Sequence, residues 1–85
     1  MEFTRCSALE AARYGVRINA VAPSIALHDF LAKVTSPDLL RDLSAREAFG
    51  RPAAVLEVAN VMVFLASDLS SYMTGEIVAV SSQRA

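Results

Sequence analysis

Between Ala54 and Ser67 apolar side chains run nearly all the way round a helix. The stretch VLEVANVMVFLAS carries Val55, Leu56, Val58, Ala59, Val61, Met62, Val63, Phe64 and Leu65, interrupted by Glu57 and Asn60. A helix of this kind must be covered on more than one face. One face can lie on a sheet. The other needs a second layer, and a chain of 85 residues has little material left to build it. Composition makes the same point, with 54% of residues apolar and 20% charged and a mean hydropathy of +0.39. Such an apolar excess on a small chain points to surfaces that meet other protein. A membrane span does not explain it, because the run from Val55 to Ala66 falls short of the roughly 20 residues a span needs.

Two short strands flank this helix. Val16 to Val21 reads as the first, since Val16, Ile18 and Val21 favour extended backbone and Ala20 and Ala22 keep it apolar. Alternation lapses after Asn19, as suits a parallel strand covered on both faces. Pro23 is expected to end the strand, because proline donates no ladder hydrogen bond. Ile77 to Val80 reads as the second strand, reached through a polar turn at Asp68 to Thr74 and a bend at Gly75. Ahead of the first strand, residues 2–14 read as a helix with small residues at Cys6, Ser7, Ala8, Ala11 and Ala12, ending at Gly15.

The middle is less regular. Ser24 to Val34 shows helical spacing at Leu27, Phe30, Leu31 and Val34 but no clear start. Ser36 is a candidate N-cap with Pro37 at the first helical position, and that helix is expected to run to about Phe49. Gly50-Arg51-Pro52 breaks it. The order helix, strand, helices, helix, strand belongs to the α/β class and reads as one right-handed crossover unit. Two parallel strands alone leave both outer edges open, which is an aggregation hazard. The chain is therefore expected to be a piece of a larger layered domain, or an obligate assembly.

Charge excludes other classes. Eight basic and nine acidic residues, net charge −1, are scattered without a basic cluster, which argues against nucleic acid. One cysteine, Cys6, cannot make an internal disulfide and fits a reducing compartment. The amino terminus, MEFTRCSALEAARYG, lacks the apolar core of a signal peptide, so a cytoplasmic protein is expected. Ser24 has no accompanying base and reads as a turn residue rather than a nucleophile. Arg17, Arg51 and Glu57 read as solvated or end-of-element charges. Tyr72 and Met73 either close over a substrate or meet a neighbouring subunit, and the subunit is the preferred reading. No metal-ligating residues are assigned.

The segments YGVRINAVAPS, then GRP, then EVANVMVFLASDLSSYMTGEIVAV, resemble the carboxy-terminal part of short-chain dehydrogenases/reductases. The likeness runs from about Thr4 to Val80, and two motif-bearing segments at the family's spacing make it specific. The nearest sub-group looks like bacterial enzymes acting on hydroxyacyl or steroid-derived substrates. The resemblance implies part of a doubly wound, Rossmann-type parallel sheet, with ligands beyond the carboxyl ends of the strands. It implies NAD or NADP as cofactor. Pro23, Ser24, Ile25, Ala26 and His28 would line the nicotinamide end, with backbone groups freed by the proline meeting the ring's carboxamide. It also implies self-association, or association with other family subunits, through helix 54–67 and the last strand.

Departures from the family pattern are plain. Ser24 stands where glycine is usual, His28 where threonine is common, and Ser81, Ser82 and Gln83 follow the last strand instead of Asp-Gly-Gly. No glycine-rich cofactor turn is present, since the three glycines are Gly15, Gly50 and Gly75. The family's catalytic Y-x-x-x-K is absent too: Tyr14 is followed at that offset by Ile18, Tyr72 by Glu76, and the single lysine, Lys33, is preceded by Asp29. No catalytic residue is therefore assigned. The expected function is a portion of an NAD(P)-dependent oxidoreductase of ketones or secondary alcohols, inactive alone. The alternatives are a non-enzymatic association module and the product of a truncated reading frame.

Overall fold

The computed structural model describes residues 2–24, 26–27, 33 and 36–83. Helix α1 spans Glu2–Ala11 and tightens into a single 3₁₀ turn at Ala12–Tyr14, closed by Gly15 with φ 73°. Strand β1 is Ala20–Pro23 and β2 is the two-residue Ala26–Leu27. Helix α2 covers Pro37–Ala45, β3 Ala53–Ala54, α3 Val55–Ala66 and β4 Ile77–Val80, with a 3₁₀ turn at Asp68–Ser70. β1 and β4 pair in parallel, Ala20 opposite Ile77 and Pro23 opposite Val80. β2 and β3 form a second, two-residue parallel pair. The fold is thus mixed α/β with a small parallel sheet carrying helices, a partial doubly wound arrangement.

The caps follow local chemistry. Ser36 is the N-cap of α2, its hydroxyl accepting from Leu39 N–H at 3.2 Å, with Pro37 in the first turn. α2 ends at Ala45, short of Phe49, because the segment after it pairs with the tail instead. Ala48 N–H donates to Gln83 O at 2.9 Å and Phe49 N–H to the Ser82 hydroxyl at 3.2 Å. Ala54 offers α3 no side-chain acceptor. Glu57 supplies half of a capping box, its carboxylate accepting from Ala54 N–H at 2.8 Å.

β1 begins four residues later than the periodicity predicts and ends two later. Val16 to Asn19 lies outside the ladder, because β4 begins only at Ile77. Its groups pair with the loop before β4: Ile18 N–H donates to Thr74 Oγ1 at 3.0 Å, and Gly75 N–H to Ile18 O at 2.7 Å. The strand ends at Pro23 as expected, with the proline inside the ladder as its last member. Ala20 N–H donates to Glu76 O and Ser24 N–H to Val80 O. Even-numbered residues therefore face β4, so the nitrogen of Pro23 points to the opposite edge and its missing hydrogen costs the ladder nothing.

The core is thin. Ala8 is the one buried apolar residue among those described, and no residue of α3 is buried. Accessible surface is 6324 Å², against about 4,900 Å² for a folded monomer of this mass. The radius of gyration is 15.6 Å, against about 12 Å for a compact domain of this length. The all-round apolar pattern of α3 is thus real, but its outer faces, at Leu56 and Val63 for example, stand in solvent.

Candidate functional site at the carboxyl ends of the strands

β1 and β4 run parallel, so their carboxyl ends open on the same side. Ser24 leaves β1 there, and Val80, Ser81 and Ser82 leave β4. Between them lies a cleft of about 160 Å³, closed on its far side by Phe49, Arg51 and Glu57. The tail residue Ser82 braces this wall, accepting from Phe49 N–H and approaching Glu47 Oε2 at 3.5 Å. Sequence reasoning missed this brace. A serine after a strand carries no distinguishing signal.

Arg51 and Glu57 form a two-pronged ion pair on the rim, at 2.8 and 3.2 Å. A glutamate three residues after a helix start was the available signal for it. The hydrogen bond from Arg51, seconded by Ala54 N–H, holds the Glu57 carboxyl at about 2, below its ordinary 4.5, with desolvation acting in the opposite direction. The same bond raises Arg51. The folded-state value of Glu57 is depressed, so its contribution is present above pH 4.5 and is lost as pH falls towards 2. Both side chains are half exposed, so the pair is salt-sensitive. Carboxyl NMR titration is expected to return a value near 2 for Glu57. In Arg51→Met it should move back towards 4.5, and an unmoved value would refute the pairing.

The expected cofactor-side residues divide. Pro23 and Ser24 stand at the end of β1, beside Val80. The Ser24 N–H is not free, since it donates to Val80 O at 3.2 Å. Ala26 is held opposite Ala53, so part of the backbone after Pro23 is committed to pairing. Ile25 and His28 lie outside the described residues.

Arg17, read from sequence as a solvated or end-of-element charge, is half-buried and central. Its guanidinium donates to Ser70 O at 2.9 Å, Ser70 Oγ at 3.1 Å, Met73 O at 3.3 Å and Ser67 O at 3.2 Å. Ser70 is 2% exposed, its hydroxyl 2.9 Å from the carbonyls of Phe64 and Leu65. Asn19 donates to Met73 O and accepts from Glu76 N–H, both at 3.1 Å. Together they fasten the turn after α3 to the approach of β1, which sets the register of β4. Tyr72, on that turn, is fully exposed. Among the described residues no group of His, Cys, Asp and Glu is placed to hold a metal, and no helix is long and apolar enough to cross a membrane.

Known proteins are similar to this sequence. Residues 1–82 match the family described as enoyl-(acyl carrier protein) reductase. The chain is 64% identical to a (5R,7aS)-5-hydroxy-7a-methyl-1-oxo-2,3,5,6,7,7a-hexahydro-1H-indene-carboxyl-CoA reductase of Mycobacterium tuberculosis, over 98% of this chain and 32% of the relative. It is 42% identical to a cis-4-hydroxycyclohexanecarboxylate dehydrogenase of Sinomonas cyclohexanicum, over 91% of this chain and 30% of the relative. Against the 3-oxoacyl-(acyl-carrier-protein) reductase of Aquifex aeolicus it is 40% identical, over 93% and 32%. The chain thus spans about a third of the length of these relatives. With its parallel strands and a family match across nearly all its residues, the chain belongs to the short-chain dehydrogenase/reductase family.

Proposed function

We propose that the chain forms the carboxy-terminal part of a single Rossmann-type domain in an NAD- or NADP-dependent oxidoreductase, and that it turns over no substrate alone. The observation that carries this reading is the position of Pro23 and Ser24. They stand at the carboxyl end of a parallel strand, Ser24 lining the cleft there, in a chain of this family. That is where α/β sheets bind ligands. The cofactor, when bound, supplies hydride chemistry between a ketone and a secondary alcohol.

The residues present fit the ring end of such a cofactor. The Ser24 hydroxyl and the edge of β2 turned away from β3 are the polar groups on offer, just past the end of β1 at Pro23. Ile25 and His28 belong to the proposed set. The fit stops at the ring. A cleft of about 160 Å³ is below the roughly 300–1,000 Å³ of complete small-molecule sites, and the sequence has no glycine-rich turn to cradle a diphosphate. Proton transfer to a carbonyl oxygen needs an acid, and no Y-x-x-x-K occurs in the sequence to supply it.

The names of the relatives speak of a bicyclic carboxyl-CoA, a hydroxycyclohexane carboxylate and a 3-oxoacyl carrier. We extend to this chain the class they share, an alcohol or ketone on an acyl or steroid-derived skeleton, in the cytoplasm. Partners of the same family, or a second copy, would meet α3 and β4. Leu56 and Val63, seven residues apart and both exposed, form one stripe of α3 suited to that contact.

Two measurements test the reading. Purified chain with NADH or NADPH and a panel of ketones is expected to show no turnover, and clear turnover would sink the proposal. Nicotinamide mononucleotide is expected to shift the amide resonances of Ser24 and Ala26, and shifts confined elsewhere would count against the assigned loop.

A further inference from the structure

Gln83 holds a backbone conformation that its side chain disfavours. Its φ is 75°, and among the described residues it is the one non-glycine residue with positive φ. A glycine would take this conformation freely, and the Asp-Gly-Gly pattern has a glycine here. Such strain persists only where the surroundings over-determine it, and it gathers at ligand clamps and switch regions. Gln83 is determined from two sides. Its N–H donates to Ser81 Oγ at 2.9 Å, and its C=O accepts from Ala48 N–H at 2.9 Å. Ser82, also in place of a glycine of that pattern, adds a side chain to the same contact. Its hydroxyl accepts from Phe49 N–H at 3.2 Å and lies 3.5 Å from Glu47 Oε2.

The segment so gripped is the far wall of the cleft at the carboxyl ends of β1 and β4. Glu47 is buried, but no residue of α2 before it is, and Phe49 is 72% exposed. The ring of Phe49 is therefore placed by bonds to its backbone and not by burial. It lines the cleft together with Ser24, Val80 and Ser81. The volume there is about 160 Å³, and an apolar cavity of about 150 Å³ takes one benzene ring. One planar ring fits while Phe49 stays in place, and a fused pair does not.

We propose that Ser82 and Gln83 clasp residues 47–49 so that Phe49 stands as the outer wall of the cleft, and that this clasp limits the cleft to ligands presenting a single planar ring. Ser82 is a positioning residue, acting on ligand size through Phe49. The inference rests on the reading of this cleft as a ligand site. It does not require the ring to be a nicotinamide.

The test uses the 85-residue chain with benzamide and 2-naphthamide, one ring against two, and reads binding from the amide shifts of Ser24 and Ser81. The native chain is expected to bind benzamide about tenfold more tightly, the scale on which a pocket discriminates by small apolar groups. Ser82→Ala removes the hydroxyl. The amides of Ala48 and Phe49 should then exchange about tenfold faster, the scale of a lost hydrogen bond. Those of Ala20 and Gly75, bonded to Glu76 O and Ile18 O, should keep their rates and report an intact fold. The preference for one ring should fall to near parity. Ser82→Thr retains a hydroxyl and should keep both the slow exchange and the preference. Exchange that quickens equally at all four amides overturns the proposal, as does a preference that Ser82→Ala leaves unchanged, or a cleft that binds neither amide. A size preference that behaves as expected, in a chain whose Ser24 is unmoved by nicotinamide mononucleotide, leaves the clasp standing and removes the nicotinamide reading.

Discussion

Replacing Arg17 with alanine is expected to cost about 3 kcal/mol or more, because hydrogen bonds from a charged donor contribute about 1.5–3 kcal/mol each and are not additive. Four such contacts go at once, to Ser67 O, Ser70 O, Ser70 Oγ and Met73 O. Three backbone carbonyls then lose a donor in a half-covered site. The loss also strips a cation from the end of α3, where the last carbonyls favour positive charge. A chain of this length has about 4–13 kcal/mol in total, and one with so thin a core lies at the low end. Urea unfolding is expected to show a large drop in midpoint, with the amides of Met73 to Glu76 exchanging first. Arg17→Lys should recover only part, since an ammonium cannot span the same fork. Asn19 shares Met73 O with Arg17, so Asn19→Ala combined with Arg17→Ala should cost less than the two separately. A midpoint that does not move would mean the network is decoration.

Gly75→Val is expected to be the second most damaging change. Gly75 has φ 75°, and its N–H donates to Ile18 O at 2.7 Å. A side chain in the left-handed region costs about 1–2 kcal/mol, and branching at Cβ adds to it. The surroundings then decide the rest. A Cβ here would meet Ala8 Cβ at 3.4 Å and the Arg5 backbone at 3.8 Å, so the methyls of valine would push into α1. Ala8 is the one buried apolar residue of the described chain, and lifting it away undoes what docks α1. Gly75→Ala should pay mainly the backbone cost. Gly15→Ala and Gly50→Ala, at φ 73° and 71° with open space around them, provide the comparison. Unfolding midpoints should fall in the order Gly15→Ala and Gly50→Ala smallest, Gly75→Ala next and Gly75→Val largest. Equal losses for Gly75→Val and Gly15→Ala would remove the claim that α1 packs on Gly75.

Much of the architecture was legible in local signals. Ser36-Pro37 marked the start of α2 and Gly15 the end of the first helix, because caps depend on the residues beside them. β4 fell where its apolar run lies, at Ile77–Val80. β1 did not, since Val16 to Asn19 has strand-like residues but no facing strand. Propensity cannot see where a partner begins. The paired bridge of Ala26–Leu27 with Ala53–Ala54 was invisible for the same reason. The motif placed Pro23 and Ser24 at the end of a strand, where they stand, whereas the contact of Glu57 with Arg51 and the Ser82 brace depend on chain segments brought together only by the fold.

The sequence alone determined the α/β class, the family and the surplus of apolar surface on α3, because composition, periodicity and motif spacing are properties of neighbours along the chain. Tertiary structure decided which side of β1 Pro23 turns to, and therefore why a proline belongs to that strand at all. It also turned Arg17 from a solvated or end-of-element charge into the tie between the approach to β1 and a turn 50 or more residues away. A charged side chain carries no mark of its distant partners. They exist only once the parallel pairing of β1 with β4 has brought the turn to it.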